Sequence, residues 1–84
     1  MPRPVAHLPN IGPTTATWLA TVGLTDEDAL RAVGTEEAWR RIKARFPRNV
    51  SIVAAYAIEG ALLDRPWNDL PPGRREALKE ELAH

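Results

Sequence analysis

Apolar residues recur at steps of three and four along most of the chain, and glycine or proline interrupts them at short intervals. This pattern is typical of short amphipathic α-helices joined by tight turns. No stretch alternates apolar and polar residues as a strand would. Helices are predicted over residues 13–22, 26–33, 35–46, 52–64 and 71–82. We therefore expect an all-α fold, a compact bundle of about five short helices.

The predicted helix ends follow from residues that satisfy free backbone groups. Gly23 suits the left-handed position that closes the first helix, and Leu24 is expected to fold back onto it. Thr25, Thr35 and Ser51 are predicted N-caps of the next three helices, since a hydroxyl accepts well from a free amide. Pro71 and Pro72 are expected to begin the last helix.

The fourth predicted helix is apolar on nearly every side, which indicates a position at the centre of the bundle. Glu59 is the only charge inside it before its last residue, Asp64. The residue is either a buried acid with a raised pKa or, as we favour, a helix-edge acid that accepts a hydrogen bond from backbone or arginine. Trp39 and Trp67 are expected to anchor the packing. Trp18 lies off the apolar face of its helix, so its exposure would suggest an interface.

The segment Leu8–Pro13 has the pattern of a helix-hairpin-helix turn, following one predicted helical turn over Val5–Leu8. Gly12 is expected to supply a positive φ and a bare backbone. Ile11 would fill the space between the two helices, and the small Ala16 would let them approach closely. The fold class is thus an all-α bundle with a helix-hairpin-helix-like turn near its N-terminus.

Free amides at the start of the helix after this turn would form an anion site, for which Asn10, Gly12, Thr14 and Thr15 are the candidate contacts. Binding versions of the turn usually place Lys or Arg where this chain has Thr14 and Thr15. Two interpretations stay open and are about equally weighted. The turn either contacts phosphate or only joins two helices.

A basic cluster follows Trp39, although the formal net charge of the chain is zero. Without a basic surplus, no strong overall field attracts the protein to nucleic acid. Glu36 and Glu37 stand four residues before the first two cations of the cluster, so a solvated helix face is the favoured interpretation there. The remaining candidates for contact with phosphate or an acidic partner are Lys43, Arg45 and Arg48.

Other composition features exclude several classes of function. The chain has no Cys and only two isolated histidines, His7 and His84, so no metal site is expected. No acid–base pair is apparent, so we expect neither an enzyme nor a cofactor. Neither a signal peptide nor a membrane span is visible, and a cytoplasmic location is expected. The length predicts a single domain, over residues 7–84, and Pro2 and Pro4 predict an extended arm over residues 1–6.

A wider resemblance rests on several segments in a fixed order. They are Leu-Pro-Asn-Ile-Gly-Pro at 8–13, Val-Gly-Leu at 22–24, Leu30 with Val-Gly at 33–34, Trp-Arg-Arg-Ile-Lys at 39–43, Tyr-Ala-Ile-Glu-Gly-Ala-Leu at 56–62 and Trp-Asn-Asp-Leu-Pro at 67–71. In this order the chain resembles the C-terminal domain of the TfoX/Sxy family over about residues 7–82.

This resemblance implies a non-enzymatic regulator associated with natural competence. Full-length members carry a domain ahead of this one, so the chain is expected to be a stand-alone form. The implied partner is DNA, contacted weakly and without sequence preference in competence or transcription control. The alternative is a protein-interaction or oligomerisation module without nucleic-acid binding. Its partner would be a regulatory protein or a separate N-terminal domain of the TfoX type.

Overall fold

Four α-helices form the protein, as described over residues 2–83 by a computed structural model. They are α1 (Pro13–Thr21), α2 (Glu27–Arg45), α3 (Ile52–Leu63) and α4 (Arg74–Leu82). Short 3₁₀ turns cover Val5–His7 and Trp67–Asp69. Residues 2–83 contain no strand, and the all-α prediction is confirmed.

The structure has four helices rather than the predicted five or so, because α2 joins the second and third predicted helices across a kink. Gly34 inside it has φ 83° and ψ 169°, so the backbone kinks there and the helix resumes at once. Thr35 does not cap a new helix. It is buried within α2, and its hydroxyl donates to the Glu59 carboxylate.

Two other predicted helix starts also differ, and a third is confirmed in position but not in its capping bond. The N-cap of α2 is Asp26, not Thr25, and its carboxylate accepts from the Ala29 amide at 2.8 Å. Ser51 does stand at the N-cap of α3, but its side chain makes no capping bond. The last helix begins at Arg74 rather than at Pro71 or Pro72, because the intervening Gly73 is left-handed.

The end of α1 matches the sequence prediction. Gly23 is left-handed, with φ 85°. Its amide donates to the Ala20 carbonyl at 3.0 Å, and the Leu24 amide donates to the Leu19 carbonyl at 2.8 Å. This pair of bonds is a Schellman motif, which satisfies the free carbonyls of the last turn. Leu24 is buried, so the motif also turns the chain toward the core.

Helix α3 lies at the centre, packed against α2, α4 and the turn at Trp67–Asp69. The largest fully buried side chains come from all four helices and are Leu19, Leu30, Ile42, Ile58 and Leu78. The predicted central position of this helix is therefore confirmed. Its burial is not complete, however, because Val53 and Leu63 are 47% and 45% exposed.

The N-terminal arm is tied to the start of α2. The Val5 amide donates to the Thr25 carbonyl, and the Glu27 amide donates to the Arg3 carbonyl at 2.8 Å. Val5 is buried and belongs to the first 3₁₀ turn, so an extended arm over residues 1–6 was only partly right. Met1 lies outside the described residues. The arm thus forms part of the folded domain.

Glu27 connects this arm to α2 through two arginines. Arg3 Nε donates to Glu27 Oε1 at 3.0 Å, and Arg31 Nη2 donates to Glu27 Oε2 at 2.9 Å. These hydrogen bonds, from Arg3 first and then Arg31, lower the pKa of Glu27 from 4.5 to about 2, against the opposing effect of burial. Its carboxylate therefore stays charged in the folded protein under moderately acidic conditions.

Stability is expected to fall as the pH drops from about 4.5 to about 2. Over this range the unfolded chain protonates Glu27 near its ordinary pKa of 4.5, whereas the folded protein holds the carboxylate charged down to about 2. Because the unfolded state binds more protons there, acid favours unfolding. Urea midpoints measured across this range should show a shallower slope for Glu27→Gln than for the wild type. An equal slope would contradict the role of Glu27. The control is Glu80→Gln, which removes an exposed carboxylate from α4.

Candidate functional site

The turn before α1 is held in place by Asn10. The positive φ predicted for Gly12 is instead found at Asn10, with φ 68°, while Gly12 has φ −84° and ψ 179°. Asn10 Nδ2 donates to the Arg65 carbonyl at 2.9 Å, and its Oδ1 accepts from the Trp67 amide at 3.2 Å. Asparagine tolerates this left-handed conformation better than most residues. The Asn10 side chain therefore fastens the turn to the segment after α3.

The start of α1 exposes backbone donors. Ile11 is buried beneath the turn as predicted, and no side chain caps the helix at Gly12. The first amide to bond along the helix is that of Ala16, which donates to the Gly12 carbonyl at 2.9 Å. The amides of Thr14 and Thr15 precede it and belong to the unpaired first turn. The preceding 3₁₀ turn has only three residues, so the motif lacks a full first helix.

The basic cluster divides once its contacts are known. Lys43 was predicted to be free, but its Nζ donates to the Pro47 and Val50 carbonyls at 2.8 and 2.7 Å. Its ammonium therefore fastens the loop that follows α2. Arg45 and Arg48 are exposed, and the guanidinium carbon of Arg45 lies 5.0 Å from the centre of the Phe46 ring. Arg40, Arg45 and Arg48 are the exposed cations of the cluster that pair with no acid among the described residues, and of these Arg45 and Arg48 border the loop after α2.

Glu36 and Glu37, which precede the basic cluster, pair with arginines of different helices. Arg41 pairs with Glu37 at 2.8 Å, as the spacing predicts. Glu36 instead pairs with Arg74 of α4 at 2.7 Å, so the predicted pair with Arg40 was wrong. The reason is tertiary, because packing of α4 against α2 brings a second arginine within reach of Glu36.

A groove of about 280 Å³ joins the turn, α1, the loop after α2 and the start of α3. Its walls combine two indoles, several small apolar side chains and polar groups, supplied by Asn10, Thr15, Trp18, Asn49, Ser51, Val53, Ala54, Ala57 and Trp67. The structure thus brings the predicted Asn10 and Thr15 together. Trp18 is half-buried and packs against Phe46, with ring centres 6.0 Å apart, so Arg45 is linked to the groove wall.

Sequence reasoning did not find Val53, Asn49 or Trp67 as part of this site. Trp67 was expected to be a packing anchor, but it is 37% exposed at the rim of the groove. The position of Trp18 off the apolar face of its helix was the one available signal. The far wall depends on contacts between distant segments, which periodicity does not reveal.

The segment that supplies Asn49, Ser51 and Val53 to the groove is basic, whereas Asp64 and Asp69 flank Trp67 in the sequence. Residues 38–58 contain five cations and no acid, and α1 has no charged residue. The acids lie in other segments: 26–28, 36–37, 59, 64, 69 and 76–81. Although the net charge is zero, the charges are therefore unevenly distributed along the chain, with an excess of cations in the segment beside the groove.

Glu59 belongs to a separate structural cluster. Arg74 Nε donates to Glu59 Oε2 at 2.7 Å, and the Thr35 hydroxyl donates to Oε1. Burial acts to raise the pKa of Glu59, but the hydrogen bonds from Arg74 and Thr35 and the Arg74 charge together lower it. The favoured sequence prediction, an acid bonded to arginine, is confirmed. The cluster connects α2, α3 and α4.

No metal centre is evident in the part of the chain that the structure describes. No group of three or more metal-ligating side chains comes together within residues 2–83. His7 is exposed in the first 3₁₀ turn, and His84 lies outside the described residues. No helix within residues 2–83 has the length and apolar character needed to cross a membrane.

These features define an all-α domain with a helix-hairpin-helix-like turn at one wall of a tryptophan-lined groove that borders a basic segment. A family model described as the TfoX C-terminal domain matches residues 1–82, and the chain belongs to that family. Its members are associated with competence regulation, as the sequence resemblance implies.

A solved structure supports the same fold. An uncharacterized protein from Listeria monocytogenes, crystallised in a triclinic form, is 31% identical to this chain and superposes with a TM-score of 0.88. The match covers 93% of this chain and 88% of the Listeria chain. No curated protein matches the chain significantly.

Proposed function

We propose that the protein is a non-enzymatic accessory regulator of the TfoX/Sxy type that contacts nucleic acid weakly and without sequence preference. The observation that carries this proposal is the acid-free basic segment 38–58, which supplies several residues to the groove beside the start of α1. The amides of Thr14 and Thr15 suit a phosphate oxygen, because the start of a helix favours negative charge. Arg45 and Arg48 supply charge that the turn itself lacks.

Such contacts would allow a protein with zero net charge to bind a polyanion. Backbone amides and arginines would bind phosphate groups, and such contacts position a nucleic acid without reading its sequence. Few phosphates would be neutralised, so affinity is modest and sensitive to salt. Asn10 and Lys43 keep the turn and the loop in position and do not contact the ligand.

Removing Arg45 and Arg48 is expected to weaken the binding of duplex DNA. Fluorescence anisotropy at low salt should give a Kd of about 10–100 µM for the wild type. Arg45→Gln/Arg48→Gln should weaken binding at least about tenfold and reduce the slope of log K against log salt by about 2. The control, Arg31→Gln/Arg41→Gln, removes the same charge from arginines paired with Glu27 and Glu37. Absence of wild-type binding at about 100 µM would overturn the proposal.

The second candidate function is a protein-interaction or oligomerisation module. Its specific support is the exposure of three large apolar side chains, Val53, Leu63 and Trp67. Light scattering would show a mass above the monomer if the module self-associates, and Leu63→Gln would reduce it. A monomer that also captures no protein in a pull-down would count against this function.

A further inference from the structure

We propose that the groove between Trp18 and Trp67 receives an unstacked base, so the protein prefers single-stranded nucleic acid to duplex. This inference rests on the proposed function and specifies its ligand. The groove is open to solvent, and both indoles contribute to its walls. Its occupant must therefore present a flat, aromatic surface on an anionic chain.

Four of the five aromatic residues form two pairs, and one ring of each pair lines this groove. Trp18 packs on Phe46 with ring centres 6.0 Å apart and the rings inclined at 32°. Tyr56 stacks on Trp67 at 6.3 Å with the rings inclined at only 12°. Trp39 is buried and stands apart from both pairs. Trp18 and Trp67, one ring of each pair, therefore line the same groove, while Tyr56 borders a second pocket with Arg75, Glu76 and Lys79.

Each aromatic pair is accompanied by an arginine. The guanidinium carbon of Arg45 lies 5.0 Å from the centre of the Phe46 ring, and that of Arg75 lies 6.0 Å from the centre of the Trp67 ring. Arg45 is thus linked to the Trp18 wall through Phe46, and Arg75, which borders the second pocket beside Glu76, lies near the Trp67 ring. Proteins that bind single strands combine aromatic faces for the bases with cations for the backbone, and each stacked base strengthens binding.

The shape and chemistry of the groove favour a single strand over two other occupants. A duplex keeps its bases paired and stacked inside, so it reaches a concave aromatic site only by unpairing a base. An acidic peptide would satisfy the arginines, but a carboxylate has no aromatic face for the indoles. The groove also offers polar groups for a base edge, including the Ser51 hydroxyl, which makes no capping bond.

Quenching of intrinsic tryptophan fluorescence tests this inference on the wild-type chain. The probes are a short oligothymidylate, an abasic strand of the same length and backbone charge, and a duplex of that length. Oligothymidylate should bind about tenfold more tightly than either of the others and should quench the fluorescence, because only its bases can stack. Since the abasic comparison needs no variant, it does not depend on the folding of any mutant.

Val53→Asp provides a variant that is expected to fold. Val53 is 47% exposed and stands in the first turn of α3, where an acid favours the helix. A carboxylate there would repel the strand and weaken oligothymidylate binding at least about tenfold. Ala32→Glu adds the same charge on an exposed position of α2 and should change binding less than about twofold. Trp67→Ala should abolish most of the preference over the abasic strand.

The outcomes separate this inference from the function on which it rests. Equal binding of the oligothymidylate and the abasic strand would overturn the base site, while duplex binding would still support phosphate contact. Absence of binding to every probe at low salt would overturn both. An oligoglutamate peptide that quenches as strongly as oligothymidylate would also overturn the base site, because charge alone would then explain the signal.

Discussion

Replacing Gly34 with alanine is expected to lower the free energy of unfolding by about 2 kcal/mol. At φ 83° and ψ 169° Gly34 occupies a backbone region almost restricted to glycine. No heavy atom lies within 4 Å of an added Cβ, so the cost comes from backbone strain and not from crowding. Thermal and urea unfolding followed by circular dichroism would measure it, with a Tm decrease of about 4–8 °C for each kcal/mol.

Gly12→Ala is the matched control for this prediction. Gly12 has φ −84°, which other residues adopt freely, and an added Cβ there also has open space. The expected change is within about 0.5 kcal/mol. If Gly34→Ala were as stable as Gly12→Ala, the kink in α2 would not need glycine and the strain argument would be wrong.

Gly60→Ala is expected to destabilise the protein by about 2 kcal/mol for a different reason. An added Cβ would lie 2.5 Å from Asn10 Nδ2, 2.8 Å from the Arg65 carbonyl oxygen and 3.2 Å from the Trp67 Cα. The first two atoms bond to each other, so moving either strains the link between the turn and the segment after α3. Loss of that packing and bonding outweighs the gain of about 1 kcal/mol that alanine normally brings to a helix.

A double-mutant cycle would test the source of this effect. In an Asn10→Ala background one of the three crowded contacts is absent, so Gly60→Ala should cost less than in the wild type, by at least about 0.5 kcal/mol. The Arg65 carbonyl remains, so the cost should not disappear. A rise in Tm for Gly60→Ala alone would show that α3 accommodates the Cβ and would contradict the close approach.

Local chemistry accounts for the parts of the fold that the sequence predicted correctly. The Schellman ending at Gly23 depends on residues adjacent along the chain. The central position of α3 follows from its composition, and the partner of Glu59 follows from the need of a buried carboxylate for a donor. The predicted number of helices was wrong because Gly34 was expected to end a helix. A glycine after an apolar residue signals a helix end, but whether the helix resumes depends on contacts such as that of Thr35 with Glu59.

The candidate site was predicted only in part, because its walls come from distant segments. Thr15 does line the groove, and Arg45 and Arg48 are exposed beside it. Asn10 bonds to Trp67, which is 57 positions away in the sequence, and hydrophobic periodicity does not predict a contact between such distant residues. The exposed Trp67 was missed for the same reason, since its place at the groove rim depends on how the chain folds back after α3.

The bonding of Lys43 has a consequence for covalent labelling. The chain has two lysines, and Lys79 is exposed on α4 while the Lys43 amine donates to two carbonyls. The bonds to the Pro47 and Val50 carbonyls and the half-buried position restrict the access of an acylating reagent to the Lys43 nitrogen. Of the two lysine side chains, the reagent therefore modifies Lys79 first. A fluorophore attached there would leave the loop beside the groove intact.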